Sequence, residues 1–136
     1  MKIKRDKLDA TFSLLVRNRG WNRCCNCGSI RNIDCAHIMS RRHVATRWHP
    51  KNAIALCRSC HMFFGEHGFD FADFCRDKFG GDFVAELRSV AMTPVPWTPK
   101  VREEIYQHYK AELAKQELGQ DFAAHELMHV FEHSGG

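Results

Sequence analysis

Cys57, Cys60 and His61 crowd into the segment LCRSCH, and all three are metal-ligand types. A second Cys-x-x-Cys pair, Cys24 and Cys27, lies upstream and is followed by Gly28. A Cys-x-x-Cys turn aims two thiolates at one point, and two such turns complete the tetrahedral sulfur shell that Zn²⁺ prefers in structural sites. A four-sulfur shell is closed, so it can staple a fold but offers no position to a substrate. The spacing therefore predicts Cys24, Cys27, Cys57 and Cys60 as ligands of a structural zinc and leaves His61 for other chemistry. A redox role for either pair would call for a thioredoxin-like βαβ context, which the flanking sequence lacks. Cys25, Cys35 and Cys75 have no partner at that spacing and read as small buried apolar residues.

The segments that must position these residues are legible from their periodicity. Leu8, Phe12, Leu15 and Val16 recur at helical spacing and Gly20 stops them. Residues 33–39 and the run AIALC read as two short strands, separated by the polar loop SRRHVATRWHPKN, and RSCHMFFGEHG opens a helix. This is a β–loop–β–α unit bracketed by the two cysteine pairs. Beyond Gly68 the chain reads as helical: FDFADFCRDKF is stopped by Gly80 and Gly81, DFVAELRSVAM runs into a proline-bearing linker, and Val101, Ile105, Tyr109 and Leu113 mark an amphipathic helix whose stripe suits a core or a partner face. The expected class is α+β, with a basic N-terminal helix over residues 1–23, a stapled core over 24–68 and a helical extension over 69–136.

The net charge of +4 hides an asymmetry. Residues 1–65 carry 13 Lys and Arg against 3 Asp and Glu, whereas residues 66–136 carry 7 against 13. A basic half suits a phosphate-rich partner bound on one face, although a solvated basic surface would have the same composition. Within the loop, Arg41, Arg42, Arg47 and Lys51 are interleaved with His43, Trp48 and His49, a mixture suited to clamping phosphates; Trp48 reads as a core residue before a base-stacking one. Lys2, Lys4, Arg5 and Lys7 suit a backbone-contacting arm or a solubilising terminus. No run of about 18 apolar residues suggests a membrane span, and the N-terminus has no secretory pattern. The expected compartment is the cytoplasm, where thiols favour metal binding over disulfides.

In this setting the segment CAHIMSRRH, followed by NAIALCRSCH, resembles the HNH endonucleases, whose ββα-metal fold threads a His, an Asn and a final His or Asn through this topology. The flanking cysteine pairs resemble the zinc-stapled members, and KLDATFSLLVRNRGWNRCCNCG with DKFGGDFVAELR is similar to the lambda-type NinG (Rap) phage recombination nucleases. The resemblance spans most of residues 7–115. It implies a metal-dependent hydrolase of DNA phosphodiester bonds, acting on branched or single-stranded DNA in the host cytoplasm when phage-encoded. His37 would match the general base, which its near-neutral pKa suits. Asn52 would match the residue that holds the loop by hydrogen bonding. His61 would match a ligand of the catalytic Mg²⁺ or Mn²⁺. Many members carry a second metal ligand immediately before the base. Ala36 stands there, and Asp34, on the same strand face but roughly 7 Å away, is the substitute candidate.

Two readings from other classes accompany this one. A non-catalytic, zinc-stabilised DNA-binding module would share the staple and the basic half and lack cleavage. Near the C-terminus, His125, Glu126 and His129 fit the H-E-x-x-H spacing of zinc proteases, but no flanking segment supplies a third ligand or a supporting sheet. Opportunistic zinc or nickel binding by these histidines is preferred to a protease, and a plain amphipathic tail is preferred to both.

Overall fold

The computed structural model describes residues 6–118; Lys2, Lys4, Arg5 and the His125–His129 pattern lie outside them. Within that span the chain is α+β, with six helices around a single two-stranded antiparallel sheet. In chain order these are α1 (Lys7–Arg19), β1 (Ile33–His37), α2 (Val44–Arg47), β2 (Ala53–Cys57), α3 (Arg58–Glu66), α4 (Gly68–Phe79), α5 (Gly81–Ala91) and α6 (Pro99–Glu117). A 3₁₀ turn at Pro50–Asn52 precedes β2, and α2 is a single turn, so the structural weight rests on α1, α3, α4, α5 and α6.

The first helix starts on a reciprocal cap. Asp6 Oδ1 accepts the Asp9 N–H at 2.9 Å and Asp9 Oδ2 accepts the Asp6 N–H at 2.9 Å, which satisfies two otherwise orphaned donors. Its apolar stripe of Leu8, Phe12, Leu15 and Val16 is fully buried against Trp48, Ala53 and Tyr109. The stripe on α6 that suited either a core or a partner face is core: Tyr109 is buried and Ile105 and Leu113 pack around it. Thr98 caps α6 by accepting the Val101 N–H at 3.2 Å, with Pro99 in the first turn, where a missing N–H costs nothing.

In the hairpin, Ile33 pairs with Cys57, Cys35 with Ala55 and His37 with Ala53. Side chains alternate across a strand. Asp34, Ala36, Ile54 and Leu56 therefore share one face, and Cys35, His37 and Ala53 share the other. The first face builds a second core of Ala36, Ile54, Leu56 and Phe64, flanked by Phe71, Phe74 and Phe79 from α4. The second face closes onto α1.

Two local expectations differ from the structure. The first strand ends at His37, not at residue 39, because the Asn52 side chain takes over Met39 with two hydrogen bonds. The loop is also more ordered than its polarity suggests, since it holds α2 and the 3₁₀ turn; its Trp48, at 2% exposure, is the core residue that the sequence favours.

Candidate functional site

The four cysteines come together. The Sγ atoms of Cys24, Cys27, Cys57 and Cys60 all lie within 4.8 Å of one another, with 3.7 Å between those of Cys27 and Cys57. The two turns fold alike: the Cys27 N–H points at Cys24 Sγ (3.4 Å) and the Cys60 N–H at Cys57 Sγ (3.5 Å). Gly28, at φ +78°, supplies the left-handed residue that ends the first turn. Asn26 Nδ2 donates to Cys60 Sγ at 3.3 Å, a thiolate-supporting contact that the Cys-x-x-Cys pattern alone does not announce.

The thiols perturb one another strongly. Burial pushes Cys24 up, but N–H groups of Cys27, Cys57 and Asn26 outweigh it and bring the group down to about 6. Burial and the three neighbouring thiols push Cys60 up to about 12. Four sulfurs at this separation cannot all ionise without a cation among them, and a divalent ion supplies that charge. The group could hold a structural metal such as zinc. Of the other cysteines, Cys75 is buried, while Cys25 and Cys35 are half-buried, so the expectation of full burial holds for Cys75 alone.

His61 follows the knuckle directly on α3. Its Nδ1 lies 3.1 Å from Asp34 Oδ2. Positions 34 and 36 are about 7 Å apart along the strand, and His61 is met from position 34. Arg58 Nη2 also approaches Asp34, at 3.4 Å to Oδ1. Asp34 and His61 contribute two donors. Among the described residues, the four cysteines form the group of three or more metal-ligand side chains.

His37 sits at the end of β1 on the other face of the hairpin, with the Phe12 ring 5.9 Å away. Its Nε2 lies 2.9 Å from the Arg47 carbonyl oxygen. A carbonyl only accepts, so Nε2 carries the hydrogen and Nδ1 is the basic nitrogen of the neutral ring. Burial lowers the His37 pKa to about 4; the Arg47 carbonyl opposes the shift, and the positive charges of Arg41 and Arg47 add to it. Three residues of strand, about 10 Å, separate it from Asp34. The structure therefore joins Asp34 to His61 and does not bring His37 into contact with them.

Asn52 is fully buried beneath the loop. Its Oδ1 accepts the Met39 N–H at 2.7 Å, and its Nδ2 donates to the carbonyls of Met39 (3.1 Å) and Thr46 (3.0 Å). Its own carbonyl accepts the Ile38 N–H at 2.8 Å. One side chain thus ties the first and middle parts of the loop to the start of β2.

The loop cations do not behave as a set. Arg47, expected to meet phosphate, is largely buried and ion-paired with Asp9, with Nε donating to Oδ1 at 2.9 Å. Trp48 Nε1 donates to the same oxygen at 2.9 Å, and the indole is buried, so its faces are not offered to a base. Burial raises the Asp9 pKa, but hydrogen bonds from Arg47, the Asp6 backbone and Trp48, with the Arg47 charge, hold it down to about 2. Arg41 and Lys51 are half-buried and Arg42 is exposed. Asp9 escaped the sequence reading; its signal was a carboxylate placed on the apolar stripe of α1, beside Leu8 and one turn before Phe12.

No helix among the described residues is long and apolar enough to cross a membrane. No protein-family model, curated protein or solved structure matches the chain.

Proposed function

We propose that this protein is a metal-dependent endonuclease that hydrolyses DNA phosphodiester bonds. The observation that carries the reading is the contact between Asp34 Oδ2 and His61 Nδ1 beside the four-cysteine cluster. A carboxylate and an imidazole fit a Mg²⁺ or Mn²⁺ site that keeps several waters and takes further oxygens from substrate phosphate. When bound, that ion would neutralise charge on the phosphorus oxygens and on the leaving oxygen. The chain's own residues have distinct tasks. His37, neutral at physiological pH with Nε2 anchored, offers Nδ1 to take the proton of the attacking water. Asn52 and the Arg47 carbonyl keep that ring and its loop in place. Arg41, Arg42 and Lys51 suit the strand's phosphates, and Arg47 supports the loop from within. The resemblance to phage recombination nucleases extends the proposal to branched or single-stranded DNA.

The two-donor count at Asp34 and His61 favours a second reading, a zinc-stabilised module that binds DNA without cutting it. One experiment separates the two. Labelled single-stranded, duplex and four-way-junction DNA is incubated with Mg²⁺, Mn²⁺ or a chelator, for wild type and His37→Ala, and zinc content is measured for both. The nuclease reading expects metal-dependent cutting that the variant loses with zinc retained. Binding without cutting under every metal condition leaves only the module.

A further inference from the structure

A cleft of about 360 Å³ opens between the end of α1, the outer edge of β2 and the α4–α5 corner. Four cations line it, Arg19, Arg23, Lys51 and Lys78, together with the rings of Phe79 and Phe83. Those rings lie 4.9 Å apart at 33° and form an aromatic wall. Among the described residues, no acidic side chain lines the cleft.

The inner side of the cleft is a strand edge. The Ile38 N–H bonds to the Asn52 carbonyl and the Arg58 N–H to that of Asn32. In this antiparallel register the backbone groups of Ala53 and Ala55 point away from β1. The Ala53 carbonyl accepts from Arg19 Nη2 at 2.7 Å and the Ala55 carbonyl accepts the Cys25 N–H at 2.8 Å. Arg19 also donates to the Pro50 carbonyl at 2.9 Å, so it braces the wall. Lys78 is tethered at the opposite side, donating to the Cys25 carbonyl at 3.1 Å.

We propose that this cleft is a subsite for one unpaired nucleotide of a DNA strand, with the base against Phe79 and Phe83 and the phosphates against Arg23, Lys51 and Lys78. The subsite rests on the reading that DNA is the substrate and narrows it to strands with an unpaired base. The volume falls in the range that holds a small organic ligand, roughly 300–1,000 Å³. A ligand that is flat and apolar at one end and anionic at the other matches an aromatic wall rimmed by cations. Bases inside a duplex have both faces covered by their neighbours, so only an unpaired base can use such a wall. The cleft borders Cys24 and Cys25, which places the strand along the knuckle side of the fold.

The test is equilibrium binding of fluorescein-labelled oligothymidylate, oligouridylate and a blunt duplex of equal length to the zinc-loaded full chain, without added Mg²⁺ or Mn²⁺. Oligothymidylate should bind in preference to duplex. Phe83→Ala should weaken it by about fivefold or more, with duplex binding changed less than twofold. Because Phe83 is half-buried, an Arg23→Gln, Lys78→Gln double variant provides a second reading that leaves the aromatic wall intact. It should reduce the log–log salt slope for oligothymidylate by about 1.4. Retention of oligouridylate alongside oligothymidylate supports a subsite that reads base and phosphate. Wild-type affinity in both variants overturns the proposal, as does displacement of the strand by polyglutamate of equal charge, or preference for oligouridylate alone. Cleavage is scored separately: strand binding that depends on the cleft without cutting overturns the nuclease reading alone, and cutting without any variant effect on binding overturns the subsite alone.

Discussion

The Arg47 carbonyl oxygen accepts the Nε2–H of His37 at 2.9 Å, while the Arg47 side chain is ion-paired with Asp9. One residue thus links the imidazole at the end of β1 to the first turn of α1. The backbone group orients the ring and the guanidinium fixes the backbone.

Asp9→Asn should therefore act at a distance. Breaking a buried ion pair from one side costs about 3–5 kcal/mol, which thermal or denaturant unfolding would read. If His37 is the base, the cleavage rate should fall as well, with zinc content unchanged. Unaltered stability in the variant would show that the pair does not support the loop.

The His37 ring gives a pH prediction with a definite sign. An unfolded histidine titrates near 6.5, and in the fold burial brings this one to about 4. Between those values the unfolded chain holds the extra proton, so stability rises with pH through the window and is lost as pH falls from about 6.5 toward 4. The contribution is roughly 3 kcal/mol. The His37 ring resonances should stay those of a neutral imidazole from pH 8 down to about pH 5, and a midpoint near 6.5 would contradict the burial argument. For the same reason, DNA cleavage should show no acid limb near pH 6.5.

Zinc analysis should find one ion per chain. Cys57→Ser should lose it, because Cys57 supplies a sulfur to the cluster and its Sγ also accepts the Cys60 N–H. Cys75→Ala should keep it. Chelation should lower the melting temperature steeply, since structural zinc contributes on the order of 10 kcal/mol in small domains. A chain that melts alike with and without chelator would remove the staple.

Asp34→Asn and His61→Ala should each cut metal-dependent cleavage by roughly 100-fold or more, an effect of the size expected for electrostatic stabilisation. Both should leave zinc in place. Titrating Mn²⁺ against cleavage rate should show a raised half-saturation in Asp34→Asn. Cleavage at the wild-type rate in both variants would dissociate the pair from the chemistry.

Tyr109→Phe removes the hydroxyl that donates to the Trp48 carbonyl at 2.6 Å. Leaving that buried acceptor unpaired should cost about 1–3 kcal/mol, measurable as a lower unfolding midpoint.

The cysteine arithmetic, the two strands and the long helices were legible because each rests on local spacing. Four sulfurs at a fixed interval have one economical arrangement, and a stripe at every fourth residue has one buried side. The loop was less legible. Trp48 could be read as core from its type, but nothing local marks Arg47 for burial, because its partner lies 38 positions away at Asp9. The contact between Asp34 and His61 was equally hidden, because strand spacing measures the distance from Asp34 to position 36 but not the reach of a side chain on the neighbouring helix.

The clasp of α6 over α1 has a consequence during synthesis. The knuckles need the chain only as far as Cys60, so a growing polypeptide can gather its four sulfurs early. Trp48 must wait for Tyr109, some 61 residues later in the sequence. A nascent chain still on the ribosome can therefore have its metal staple set while the loop carrying the Arg47 carbonyl is unbacked, and a chain stopped short of α6 would have its sulfurs in place without that backing.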